Sequence, residues 1–206
     1  MSPAEFTRLE PYLERVTLVP RRMLQHAKVP VEHLYFIEDG LVSVQASTDE
    51  ESAVEVWLIG REGAVGSPAV LGVSASPLRH VVRVGGSAYR ITVRDLSAAI
   101  AEIPALRAML LSYLHVTLMQ SSQSTACGLR HAFPQRLARW LLTAQDRTGS
   151  DEVPVTQDLL ARALGVRRAT VSEAIKSFEH KGVLARLRGL IRIKDRARLE
   201  KITCRC

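Results

Sequence analysis

The spacing of apolar residues changes character along this chain. Glu5 to Arg15 predicts a short amphipathic helix or two, interrupted at Pro11. The pattern then becomes short and β-like. Leu34-Tyr35-Phe36-Ile37 predicts an apolar strand, Glu38-Asp39-Gly40 a turn in which glycine supplies positive φ, and Leu41 to Ala46 the return strand. A polar loop over Ser47 to Ser52 leads to a strand over Ala53 to Ile59 and a turn at Gly60-Arg61-Glu62-Gly63. His80 to Val84, Gly85-Gly86 and Ser87 to Val93 predict one more strand–turn–strand unit. Short strands at this regular spacing predict a sandwich or rolled barrel.

After Val93 the period lengthens. Asp95 to Ile103 predicts a short helix, and Pro104 starts another at its first turn. Leu106, Leu110, Tyr113, Thr117, Gln120, Ser124 and Cys127 then recur at alternating steps of four and three, one heptad seam that is firmly apolar only in its first half. This seam predicts a dimerisation helix; the competing reading is a helix packed on its own domain. Gly128 is expected to end the helix and serve as the hinge between domains.

The most specific pattern lies between Gln157 and Lys176. A helix-turn-helix needs a small residue where the two helices cross, Gly four residues later for the turn, and a branched apolar residue six beyond that. Ala161, Gly165 and Val171 fill these places, and the inner positions Leu160, Leu164, Val166 and Ala174 are all apolar. Thr156 stands where an N-cap should start the first helix, with Asp158 in its first turn. The second helix is expected from Arg167 to about His180. Its outward positions are Arg167, Arg168, Ala169, Ser172, Glu173 and Lys176. Arg suits the O6/N7 edge of guanine and Glu can accept from cytosine N4. Thr156, Gln157, Thr170 and Lys176 are placed to hold phosphates. Beyond it, Val183-Leu184-Ala185, a basic turn at Arg186-Leu187-Arg188-Gly189, and Leu190 to Ile193 predict a wing whose Arg186 and Arg188 reach the phosphate backbone.

Charge sharpens this division. Residues 1–128 carry 11 Lys/Arg against 13 Asp/Glu, a net of −2, whereas residues 129–206 carry 17 against 8, a net of +9. A basic C-terminal third on a slightly acidic body fits one domain facing a polyanion. With 47% apolar and 24% charged residues the composition is that of a globular chain. No apolar run reaches the ~18 residues of a membrane span, and Met1 to Glu5 lack the basic start of a signal peptide, so a cytoplasmic protein is expected. Cys127, Cys204 and Cys206 are too few and too unevenly spaced for a disulfide framework or an iron–sulfur set; the Cys204-Arg205-Cys206 tail reads as frayed in preference to metal-binding or oxidant-sensing.

These residues resemble the cyclic-AMP receptor protein / FNR family of bacterial regulators over nearly the full length. Leu34 to Val42 is similar to the family's hydrophobic strand, turn glycine and return strand; the helix after Pro104 is similar to its dimerisation helix; Val155 to Ala161 and Gly165 to Val171 resemble its helix-turn-helix. The resemblance implies an α+β chain with an N-terminal, cyclic-nucleotide-binding-like β-roll (1–103), a dimerisation helix and hinge (104–128) and a C-terminal winged helix-turn-helix (129–206). It implies a homodimer on twofold-symmetric double-stranded DNA, with RNA polymerase as a candidate further partner. The chain departs from the family at the nucleotide site. The family's Gly-Glu-Leu, whose Glu takes the ribose hydroxyl, is replaced by Gly66-Ser67-Pro68, and Arg79-His80 stands at a longer spacing than the family's phosphate-binding Arg. Ser121-Ser122 fall where the family offers Thr-Ser to the adenine. Losing the ribose acceptor removes a charge-assisted hydrogen bond of about 1.5–3 kcal/mol. A different effector or none is therefore expected in preference to a cyclic nucleotide, and no cofactor. Ala169 and Glu173 also replace the Glu and second Arg common in the family's recognition helix, so a different operator is expected.

Two other readings compete: a cyclic-AMP-gated regulator, and a small-molecule-binding or interaction module that has lost DNA binding. An enzyme is not expected, because no nucleophile–base set, HExxH, P-loop or paired carboxylates appear. His26, His33, His80 and His115 have no spacing that marks a haem or metal ligand.

Overall fold

A computed structural model describes residues 1–47 and 53–204; the loop expected at Ser47 to Ser52, and Arg205 and Cys206, lie partly or wholly outside them. Contacts divide the chain into two compact units, one of Met1–Val42 and Ile59–Gln120, the other of Ser43–Leu58 and Ser121 onward.

The N-terminal part of the chain builds a mostly antiparallel, six-stranded sheet, of which all but the end of β3 and most of β4 lies in the first unit. Helix α1 (Pro3–Leu9) opens with a capping box, in which the Ser2 hydroxyl accepts from the Glu5 N–H and the Glu5 carboxylate takes the Ser2 N–H. Pro11 falls in a 3₁₀ turn, Glu10–Tyr12. The expected helix does not reach Arg15: β1 (Glu14–Leu18) and β2 (Met23–Gln25), strands too polar and too short to announce themselves, follow instead. Then come β3 (His33–Ser47), β4 (Ala53–Ile59), β5 (Ala64–Val65), the short helix α2 (Ser67–Val70) and β6 (Arg79–Thr92). The sheet runs β1-β6-β3-β4, with β2 on β6 and β5 on β3.

Of the three expected glycine turns, the one at Gly60 to Gly63 is present, its Gly63 N–H donating to the Gly60 carbonyl at 3.0 Å, and the other two are corrected. Strand β3 passes unbroken through Gly40, and β6 through Gly85-Gly86. The glycines are there for close approach of neighbouring backbones. A Cβ on Gly86 would lie 2.3 Å from the Asp39 carbonyl oxygen, and one on Gly40, whose φ is +99°, would lie 2.7 Å from that of Val84. Local sequence reads glycine as a reversal; here two long strands cross closely at it.

Helix α3 (Val93–Glu102) is capped by the Thr92 hydroxyl on the Asp95 N–H. Pro104 then opens α4 (Pro104–Arg130), a 27-residue helix. The first half of the predicted dimer seam points inward. Leu106 and Leu110 are buried with Leu9, Leu34, Ile91, Leu96 and Ile103, and the Tyr113 hydroxyl donates to the Ala64 carbonyl at 3.3 Å. The outer face instead carries Met109, Val116 and Met119, with Val116 61% exposed. Gly128 does not end the helix, which runs on to Arg130, and a Cβ there would meet nothing within 4 Å.

The second unit contains α5 (Phe133–Thr148), β7 (Glu152–Val153), α6 (Gln157–Leu164), α7 (Arg168–His180), β8 (Leu184–Leu187), β9 (Leu190–Ile193) and α8 (Arg196–Ile202). Helix α5 buries Leu137, Ala138, Leu141 and Ala144 and ends on Gly149 at φ +65°. Trp140 Nε1 donates to Glu55 Oε1 at 2.6 Å, and Glu55 also accepts from the Ser43 hydroxyl, so the ends of β3 and β4 belong to this unit.

Candidate nucleic-acid interface

Helix α6 begins where the sequence places it. The Thr156 hydroxyl accepts the Leu159 N–H at 3.2 Å, Leu160 and Ala161 are buried, and Gly165 at φ +64° closes the helix while the Val166 N–H reaches back to the Ala161 carbonyl. Helix α7 follows after one turn. Val171, Ala174, Ile175 and Phe178 form its buried side, with Val171 and Ile175 fully enclosed. That leaves Arg167, Arg168, Ala169, Glu173 and Lys176 exposed, and Thr170 and Ser172 half-buried beside them. Arg167 holds the N-cap position without a side-chain cap, so the first N–H groups of α7 have no capping oxygen from it.

The wing is tighter than expected. Leu187 pairs with Leu190, which leaves Arg188-Gly189 as a two-residue turn with Gly189 at φ +77°. Arg186 therefore lies in β8, not in the turn, and its N–H donates to Glu179 Oε1 at 2.9 Å. That bond ties the wing to the end of α7. A third strand, β7, pairs with β9 and was not foreseen.

These elements converge. One cleft is lined by Thr156, Gln157 and Asp158 at the start of α6, Arg168 of α7, and Arg186 and Leu190 of the wing. Arg167, Lys176 and Arg188, all exposed, flank this surface in sequence and on α7 or the wing tip. The basic residues of the unit divide into two sets. Arg192 pairs with Glu152, Arg196 with Asp146 and Glu200, and Arg198 with Asp195. Arg167, Lys176, Arg186 and Arg188 form no ion pair among the described residues. Arg168 is intermediate, with Nε 3.3 Å from Asp158 Oδ1 and both side chains more than half exposed. In the sequence Asp158 is a first-turn acid; its contact with Arg168 spans the turn and has no signal in local spacing.

The candidate effector residues are split between the units. Gly66, at φ +113°, caps α2; a Cβ there would lie 2.7 Å from the His33 carbonyl oxygen. Ser67 is the first residue of α2, and Arg79, half-buried, begins β6. Ser121 and Ser122 lie on α4, in the other unit, where the Ser121 carbonyl accepts from the Thr125 hydroxyl.

Comparison with known proteins agrees with this architecture. Residues 135–202 match the family model of the Crp-like helix-turn-helix domain. Among solved structures, the chain is similar to FixK2 from Bradyrhizobium japonicum (TM-score 0.79, 15% identity, 94% of this chain and 98% of that one). It is also similar to the c-di-GMP-responsive global regulator CLP from Xanthomonas campestris (TM-score 0.76, 16% identity, 93% and 99%). A CRP/FNR-family transcriptional regulator from Thermus thermophilus is similar as well (TM-score 0.71, 20% identity, 92% and 97%). No curated protein matches the sequence. The resemblance read from the sequence is borne out: the C-terminal third is a Crp-like helix-turn-helix domain, and the chain has the fold of the Crp/FNR transcription regulators. No single described helix is long and apolar enough to cross a membrane.

Proposed function

From a Crp-like helix-turn-helix set on the Crp/FNR fold, we propose that this chain acts as a homodimeric, sequence-specific DNA-binding transcription regulator. The observation that carries this reading is the convergence of Thr156, Gln157, Arg168 and Arg186 on one cleft, beside cations that form no ion pair among the described residues. Arg168, with Ser172 and Glu173 one turn along α7, reads base edges in the major groove. Thr156, Gln157, Arg167, Thr170, Lys176, Arg186 and Arg188 hold the phosphates on either side. RNA polymerase is the natural further partner of such a regulator.

The homodimer forms through α4, on a face different from the heptad seam of Leu106, Leu110 and Tyr113. Met109, Val116 and Met119 follow one another at steps of seven and three, and a helix in water does not stably display large apolar side chains in that register without a cover. A second copy related by a twofold axis covers like with like. The two recognition helices then meet half-sites about 34–36 Å apart.

The sensor unit works without cyclic AMP. Gly66-Ser67-Pro68 offers no carboxylate for a ribose hydroxyl, and the glycine is required for backbone packing whether or not a ligand binds. The reading involves no catalysis and no membrane.

The test is affinity for the DNA upstream of the chain's own gene, with and without cyclic AMP, over a salt series. Four cationic phosphate contacts per protomer, eight per dimer, give a slope of log K against log salt of about −7. Tight, salt-steep binding that cyclic AMP leaves unchanged supports the whole reading. Binding that appears only with cyclic AMP makes the chain a cyclic-AMP-gated regulator instead. Absence of any salt-steep DNA binding would leave two readings, a missing effector or an interaction module that has lost DNA binding.

A further inference from the structure

The end of α4 and the C-terminal segment meet around three side chains that bind soft and borderline metals. Cys127 and His131 are four residues apart, and the His131 N–H donates to the Cys127 carbonyl at 3.0 Å, so the helical path continues past Arg130 and both side chains share a face. At the other end of the same unit, α8 closes with the Thr203 N–H on the Leu199 carbonyl, and the next residue brings Cys204 Sγ to 3.8 Å from Cys127 Sγ. Both sulfurs and a ring nitrogen of His131 lie within 4.8 Å of one another. Cys127 is only 3% exposed, and His131 and Cys204 are half-buried. The segment up to Cys204 is therefore not the frayed tail expected from the sequence.

We propose that Cys127, His131 and Cys204 form a zinc-binding site, a Cys₂His set. The distances favour a metal over a disulfide. Zn–S bonds of about 2.3 Å at a tetrahedral angle put two thiolate sulfurs roughly 3.8 Å apart, which is the separation found. A disulfide needs about 2.05 Å, so the sulfurs would have to close by almost 2 Å. Two thiolates and one imidazole are also the donor set that selects zinc over magnesium or calcium.

The surroundings suit a metal-bound thiolate. Arg139 Nη1 lies 2.7 Å from Cys127 Sγ, and Gln123 Nε2 3.5 Å from it. Donors of this kind to a ligand sulfur hold it in place and offset the charge of a dithiolate. On binding, each cysteine S–H gives its proton to solvent and Zn²⁺ takes the two thiolate electron pairs; nothing is oxidised or reduced. The ion would pin the C-terminal segment to the end of α4. The site stands independently of the DNA-binding reading.

The experiment uses the reduced full chain with Cys206→Ser, so that only Cys127 and Cys204 carry thiols. Titration with Co²⁺ should give one ion per chain, with the strong visible bands of tetrahedral cobalt and a near-ultraviolet thiolate charge-transfer band. Zn²⁺ should displace it and release protons on binding to the apo chain. Cys127→Ser or Cys204→Ser should each weaken the charge-transfer band and lower affinity at least about tenfold. His131→Gln, at a half-exposed position where folding is least at risk, should lower affinity by a similar factor while circular dichroism stays unchanged. The proposal is overturned if the reduced Cys206→Ser chain takes up no cobalt while the wild type does, if the spectrum survives Cys127→Ser, or if the reduced chain binds no metal and mild oxidant joins Cys127 to Cys204.

Discussion

Arg168 Nε lies 3.3 Å from Asp158 Oδ1, so the leading arginine of the recognition helix is met, without DNA, by a carboxylate from the helix before it. Both side chains are more than half exposed, and such a pair contributes little to stability, about 0–1 kcal/mol. On the proposed reading its effect is expected on DNA binding, where the carboxylate would compete with guanine for Arg168 and repel nearby phosphates.

Arg168→Ala is therefore expected to cost about 1–3 kcal/mol of binding to the preferred operator and to relax base preference at one position of each half-site. Asp158→Asn is expected to tighten binding, most of all to DNA of unrelated sequence. Anisotropy titrations on matched and mismatched sites check both. Equal losses by Arg168→Ala on every sequence would demote Arg168 to a phosphate contact.

The two faces of α4 predict opposite phenotypes. Leu106 is fully buried among Leu34, Ile91 and Leu96, and Leu106→Ala should cost about 2–5 kcal/mol of folding stability. Val116, 61% exposed, stands alongside Met119 on the outer face. Val116→Glu should leave the fold intact, convert the proposed dimer to a monomer by light scattering, and abolish tight operator binding. A Val116→Glu chain that stays dimeric would move the interface elsewhere.

How far the sequence carried can be judged at particular residues. Strand β4 is legible in the sequence, because the largely apolar run Ala53 to Ile59 lies between a polar loop and the Gly60 to Gly63 turn, and the helix-turn-helix is legible from Ala161, Gly165 and Val171, whose constraints are local. Gly40 and Gly85-Gly86 misled because local chemistry reads glycine as a turn, whereas their reason lies across the sheet. Leu106 and Met109 are both apolar and lie only about 60° apart around the helix, so periodicity could find a stripe on α4 without telling its inside from its outside. Cys127 and Cys204 are 77 residues apart, and only the fold brings them together.

Two glycines give a further contrast. Gly86→Ala must push backbone against backbone, since its Cβ would lie 2.3 Å from the Asp39 carbonyl oxygen, and a loss of about 1–3 kcal/mol or more is expected. Gly128 sits inside α4 with nothing within 4 Å of an added Cβ. Gly128→Ala should gain about 0.5–1 kcal/mol and leave DNA binding unchanged. Chemical denaturation measures both; lost DNA binding in Gly128→Ala would restore the hinge role first expected of it.

The buried His80 gives the fold a pH dependence with a definite sign. It is 2% exposed, opposite the equally buried Gln25 in the β2–β6 pairing, and its Nδ1 has no hydrogen-bond partner among the described residues. Burial disfavours the imidazolium and lowers its pKa from 6.5 to about 4. Between these values the unfolded chain binds the proton and the folded chain does not, so the contribution is fully present above about pH 6.5 and is lost as pH falls toward 4. The loss amounts to roughly 3 kcal/mol at pH 4. Carboxylates also titrate in this range, so the informative quantity is the difference from a chain that cannot protonate there. His80→Leu keeps the site filled and removes the titration. Urea denaturation of both chains at about pH 7.5 and pH 4.5 should show the wild type losing some 2–3 kcal/mol more than the variant. Parallel losses in the two chains would mean that His80 already accepts its proton in the folded state.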